Sequence, residues 1–366
     1  MNHSDIARNR AAVLEESIMQ KGKTASAGSK ILEGFIAPFD ATVVTRLREN
    51  NIQIAGSTAM DEFGIGAVCQ DDAEAPSAAV KAVLDGDAGF AICNDIFGKH
   101  RRESAESGVC YIHPGYGTVS RYGLIPIACS MDQIGIVCKD LKEGFELLST
   151  IAGHDPKDGA MFPQERYSYS KSDKALRIGL PLNVLSQITA NTRESISQFA
   201  GKFDVKDITL NFFEVYKQVF YILACAEISG NINRYDGIKF GYRADRYNSI
   251  NDLYLKTRTH AFGLQTKLAA VIGSMVLSRD CYLPFYEKAM RIRRLIKQSL
   301  AFDNYDVIIL PTAIGEDAYE NLSLFALAPL AGLPSVTFSY RGQPVQLIAN
   351  AQNESALLTA REVAGS

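Results

Sequence analysis

The stretch Phe285-Tyr-Glu-Lys-Ala-Met-Arg-Ile-Arg-Arg-Leu-Ile-Lys-Gln-Ser-Leu-Ala-Phe-Asp-Asn-Tyr-Asp-Val-Ile-Ile-Leu-Pro311 decides the fold. Its apolar positions 285, 289, 292, 296 and 300 share one face of a helix over Phe285–Leu300. A short linker leads to Val307-Ile-Ile-Leu310, an unbroken apolar run that Pro311 stops. A strand reads this way when both of its faces are covered, because neither set of side chains then meets water. The same helix-then-strand order occurs twice more. Asp40 precedes a helix over Ala41–Asn50, followed by Ile52-Gln-Ile-Ala55 as a strand, and Ala78–Leu84 reads as a helix before the strand Phe90-Ala-Ile-Cys93. Together these predict an α/β fold, a mixed sheet with helices on both faces.

Outward from these units, Arg177–Leu180 reads as a further strand. Val336–Tyr340 and Pro344–Ile348 flank Arg-Gly-Gln and predict a hairpin. The polar run over 165–174 is expected to be an exposed connection, and Ser4 is expected to cap an N-terminal helix carrying Ile6, Val13, Leu14 and Ile18. No internal repeat is found. At 366 residues the chain is long enough for one large domain or two ordinary ones.

A net charge of −3 gives no general reason to expect nucleic-acid or membrane binding, and no 18-residue apolar window suggests a transmembrane helix. The charged N-terminus lacks the apolar segment of a secretory signal. Seven scattered cysteines, with no C-x-x-C pair, read as free thiols of a cytoplasmic protein. The five histidines lack metal-ligand spacing, and no motif calls for a cofactor. Gly64-x-Gly66 and Gly115-x-Gly117 read as turns. Lys99-His-Arg-Arg102 is a compact basic cluster that suits either a solvated patch or an anion site.

Four groups of blocks, in order, carry a resemblance. They are Ser29–Phe35 with Asp40–Val44 and Met60–Phe63; Val119–Ile125 with Ser130–Gly135 and Ile151–Asp158; Asn233–Gly237 with Phe240–Arg243, Lys256–Arg258 and Phe262-Gly263; and Tyr305–Ala313 with Leu330–Pro334. The chain resembles the amidase-signature family, in particular the A subunits of the glutamyl-tRNA(Gln) and aspartyl-tRNA(Asn) amidotransferases. The resemblance implies a single α/β/α-layered domain over residues 1–366, built round a large mixed sheet and without the family's N-terminal region. It also implies a Ser–cis-Ser–Lys triad in which the lysine, through the cis serine, activates a serine nucleophile against an amide carbonyl.

Carried over position by position, the triad is missing. The segment matching the family's D-T-G-G-S-I-R reads Asp95-Ile-Phe-Gly-Lys-His-Arg101, which puts Lys99 at the nucleophile position and Phe97 in place of a glycine of the oxyanion hole. Ala75 takes the cis-serine position, and Glu15, or Glu16 in a shifted register, takes that of the lysine. Arg258 matches the arginine that pairs with a substrate carboxylate, whereas Leu322 stands where the family holds the substrate amino group with an aspartate. The loop between Phe63 and Ala73 is shorter than the family's.

The resemblance therefore implies first a catalytically inactive amidase-like protein, a scaffold, regulator or assembly subunit that does not hydrolyse glutamine. Two alternatives stand beside it. One is an amidotransferase A subunit or amidase using altered residues. The other is an anionic-ligand-binding protein using Lys99, His100, Arg101 and Arg258 in the old cleft. The resemblance also implies a protein partner related to amidotransferase B or C subunits. Lys99 is expected either to pair with Glu15 or Glu16 across the cleft or to point to solvent.

Overall fold

A computed structural model of the chain describes residues 11–66 and 76–365. Its strands are β1 (Ala12–Glu15), β2 (Ile54–Thr58), β3 (Phe90–Asn94), β4 (Cys110–His113), β5 (Ile134–Cys138), β6 (Arg177–Pro181), β7 (Asp204–Ile208), β8 (Val307–Pro311), β9 (Ser335–Tyr340) and β10 (Gln343–Ala349). The principal helices are α1 (Thr42–Glu49), α2 (Ala78–Leu84), α3 (Lys99–Glu106), α4 (Leu141–Ile151), α5 (Ala190–Ala200), α6 (Tyr216–Asn231), α7 (Ile250–Ala261), α8 (Leu264–Val276), α9 (Lys288–Ser299), α10 (Ala318–Ala331) and α11 (Glu354–Ala364). All ten strands join one sheet in the order β2-β1-β3-β5-β4-β9-β10-β8-β6-β7. Pairing is parallel among β2, β1 and β3 and among β8, β6 and β7, and antiparallel through the middle.

The apolar runs explain the layers. In β8, Val307 and Ile309 enter one core with Phe145, Leu148, Phe199 and Leu357, while Ile308 and Leu310 enter the opposite core with Phe220, Leu223 and Phe325. Helices thus cover both faces, as the sequence predicts. Helix α4 shows how one is placed. The Asp140 carboxylate accepts the Lys142 and Glu143 amides at 2.9 and 3.1 Å, and Leu141, Phe145, Leu148 and Ile151 turn inward. Burying a side chain such as Phe145 is worth about 2–3 kcal/mol. The 336–340 and 344–348 segments form the expected hairpin, β9 with β10.

Three expectations change. The N-terminal helix gives way to strand β1 at Val13 and Leu14, residues 1–10 lying outside the described residues. β1 sits between two parallel neighbours, with Leu14 in one core and Val13 in another, so its apolar spacing serves two faces rather than one helical stripe. The strand expected at 52–55 starts two residues later, because Ile52 still bonds back to the Leu47 carbonyl beyond a left-handed Asn51. The Phe285–Leu300 helix begins with a π-helical turn over Tyr282–Glu287 that leaves Phe285 exposed, while Ala289 and Ile296 are buried.

The segment over 165–174 has no regular structure and is largely exposed, except for buried Tyr167. The six described cysteines are unpaired, and four of them are buried. Gly64 and Gly117 hold left-handed turn conformations, with φ of +69° and +89°. Among the described residues no single helix is long and apolar enough to cross a membrane.

Candidate active site

Parallel crossovers bring the ends of β1, β2 and β3 together beside the first turn of α3. β3 ends in Asn94, and the chain turns through Asp95 and Gly98 before the helix starts at Lys99. Asp95 makes this turn. Its Oδ1 accepts the Gly98 N–H at 2.8 Å, and its Oδ2 accepts the Arg101 N–H at 2.9 Å and the Arg101 Nε at 3.1 Å. Arg101 has no exposed surface; its other donors reach the Phe325, Asp95 and Ile96 carbonyls at 2.9–3.2 Å. Burial works to raise the Asp95 pKa, but the Arg101 and His100 charges outweigh it and leave the carboxyl below its usual range.

The neighbouring cations do not behave as the sequence suggests. Lys99 Nζ lies 2.6 Å from Asp61 Oδ2, so it pairs with neither Glu15 nor Glu16 and is not left to solvent. Glu16 instead accepts the Ser26 hydroxyl. Glu15 is 1% exposed and takes His100, with Nε2 to Oε1 at 2.9 Å. Its Oε2 accepts the Asn94 N–H and the Ser17 hydroxyl, each at 3.1 Å. The other ring nitrogen, Nδ1, lies 2.9 Å from Ser77 Oγ. Burial works to lower the His100 pKa, but the Glu15 hydrogen bond and charge, helped by Asp95 and Glu103, raise it to about 9.

These groups surround a cavity of about 240 Å³ whose walls include Glu15, Asp61, Ser77, Asp95, Lys99 and His100. Two of the three positions carried over for the triad, Glu15 and Lys99, therefore meet at one cavity. The third, Ala75, lies outside the described residues. The set of four anion-gripping cations does not assemble. Lys99 and His100 each hold a carboxylate, Arg101 is buried in its own ion pair, and Arg258 does not line the cavity. Arg258 instead donates to the Tyr235 and Asn233 carbonyls at 3.2 and 2.9 Å. The basic cluster is likewise no solvated patch, since His100 and Arg101 are buried. Sequence reasoning misses Asp61, Ser77 and Glu103. Asp61 and Ser77 stand 38 and 22 positions from Lys99, and no local spacing announces that the crossovers gather them, whereas Glu103 lies one turn on from Lys99 in α3.

Comparison with known proteins agrees with the layered fold and the order of the blocks. The family model described as Amidase matches residues 12–76 and 77–358. The A subunit of the glutamyl-tRNA(Gln) amidotransferase of Lachnoclostridium phytofermentans is 34% identical over 363 residues, covering 88% of this chain and 74% of its own. That of Thermoanaerobacter pseudethanolicus is also 34% identical, over 366 residues, with coverage of 91% and 74%. Among solved structures, the corresponding protein of Thermotoga maritima superposes with a TM-score of 0.71 at 24% identity, covering 95% of this chain and 81% of its own. The peptide amidase of Stenotrophomonas maltophilia gives 0.74 at 23%, with coverage of 97% and 81%. A match that runs from β1 to α11, with relatives a third identical, makes this chain a member of the amidase family.

Proposed function

We propose that this chain acts on the carbon–nitrogen bond of carboxamides, in the manner of the amidotransferase A subunits, with residues other than the serine–serine–lysine set. One observation carries the reading. A cavity of about 240 Å³ lies where Glu15 and Lys99 meet, and the ionisable and hydroxyl groups of Glu15, Asp61, Ser77, Asp95, Lys99 and His100 share its wall with Ala59, Met60 and Ala78. The similar relatives are named as A subunits, which supports a cytoplasmic role beside a partner related to B or C subunits.

The test is ammonia release by the purified chain from glutamine, asparagine and a small neutral carboxamide. Turnover above a heat-denatured control is expected, and none with any of the three would overturn the reading. A second reading, the catalytically inactive scaffold, is favoured by one contact. Lys99, at the position of the family nucleophile, is an ammonium tied to Asp61 at 2.6 Å and cannot serve as a serine does. Silence in the assay, together with a co-purifying partner protein, is the outcome that reading expects.

A further inference from the structure

Ser77 occupies the residue before α2, where a serine hydroxyl ordinarily bonds a backbone N–H of the first turn. It makes no such bond. The hydroxyl lies instead on the imidazole of His100, whose far nitrogen lies on Glu15. Every other polar contact in the group holds it in place. The Ser77 N–H donates to Glu103 Oε2 at 2.8 Å, and Glu15 is fixed by the Asn94 amide and Ser17. Ser77 is half-buried on the cavity wall, whereas His100 and Glu15 are 7% and 1% exposed. A hydroxyl facing a cavity, an imidazole behind it and a buried carboxylate behind that is an arrangement able to support nucleophilic acyl transfer.

We propose that Ser77 is an acyl-accepting nucleophile, with His100 as its base and Glu15 as the carboxylate that positions the ring, and that small uncharged carboxamides or esters are its substrates. The proposal rests on the altered-residue reading above and names the residues. On the cavity wall Lys99 is paired with Asp61 and Asp95 with Arg101, so an uncharged acyl group enters without stranding either charge. In the first step Ser77 Oγ bonds to the acyl carbon while its proton passes to Nδ1 of the neutral imidazole. Nε2–H remains on Glu15. The carbonyl oxygen becomes an oxyanion in a cavity that also holds the Lys99 ammonium. The intermediate collapses, the bond from carbon to nitrogen or oxygen breaks, and the leaving group takes the proton from Nδ1. Water then adds to the acyl-serine, giving its proton to Nδ1. The second collapse releases the carboxylic acid and returns the proton to Ser77.

The base works only when neutral. The groups facing it are Glu15 from β1, Asp95 from the turn after β3, Glu103 from α3 and the stacked ring of Tyr111 from β4, with Lys99 and Asp61 across the cavity. Acylation should therefore climb about tenfold per pH unit from 7 and level off near 9, as the imidazolium gives up its proton.

The experiment is fluorophosphonate labelling of the full chain between pH 7 and 10, with the modified residue mapped by peptide mass spectrometry. Expected are modification at Ser77, its loss in Ser77→Ala, and a labelling profile displaced to lower pH in Glu15→Gln. The far-ultraviolet circular dichroism of each variant checks its fold, and Ser77→Ala removes only a half-buried hydroxyl should Glu15→Gln fail to fold. Modification of a different serine overturns the assignment but leaves amide turnover by altered residues standing. Ser77 labelling independent of pH overturns the role of His100. No labelling anywhere, with no amide turnover, overturns both the assignment and the reading beneath it.

Discussion

His100 joins three ionisable neighbours to one hydroxyl, so its titration reports on the whole cluster. The imidazole titrates near 9 in the folded chain against an ordinary value near 6.5. A group whose pKa rises on folding adds stability that is fully present below the unfolded value and is lost as pH climbs through the folded one. Resistance to urea should accordingly fall between about pH 6.5 and 9, by an amount of the order of 3 kcal/mol if the pair stays dry. The measurement is the urea midpoint against pH, with His100→Gln as reference. A slope equally steep in that variant would assign the loss to other groups. Such a cluster is only half legible in the sequence. Matching positions to a family pattern brings out Glu15 and Lys99, yet it gives Lys99 the wrong partner. Which carboxylate reaches an ammonium depends on side-chain direction at a strand end, and a one-residue step turns Glu15 inward and Glu16 aside.

The turn into α3 is the element on which the cluster depends. Gly98 has φ of +87°, and a Cβ there would lie 2.4 Å from Cγ of Phe325, so both backbone conformation and space forbid a larger residue. Gly98→Ala should cost about 2–4 kcal/mol and displace the Asp95–Arg101 pair, since strain and overpacking act together. Thermal unfolding checks it, and a shift in Tm of under about 2 °C would contradict the packing described. Elements such as β3 and β8 are readable because each short apolar run follows a helix legible in the sequence, and burial on both faces is what such a run needs. β1 is not. No legible helix leads into it, and chance spacing to Ile18 imitates a helix.

Across the molecule, one apolar core contains Leu14, Ile136, Val336, Phe338 and Leu357, drawn from both ends of the chain. Shared packing on that scale should make unfolding a single transition. With no tryptophan in the chain, tyrosine fluorescence and far-ultraviolet circular dichroism should give coincident urea curves. Two separated midpoints would instead divide the sheet at its seam. That seam is the pairing of β4 with β9, which among the described residues joins the five strands that end at Cys138 to the five that begin at Arg177. Its position has a meaning for the nascent chain. The first five strands leave the ribosome able to pair among themselves, while β4 waits for a partner about 220 residues downstream. At ordinary elongation rates the wait lasts roughly 10–45 s. Through that interval β4 offers an open edge of backbone donors and acceptors next to apolar side chains, a template for the same strand of a neighbouring chain. On crowded polysomes this open side of β4 adds to the two edges, β2 and β7, that the finished sheet keeps, and a chaperone that shields β4 would act there.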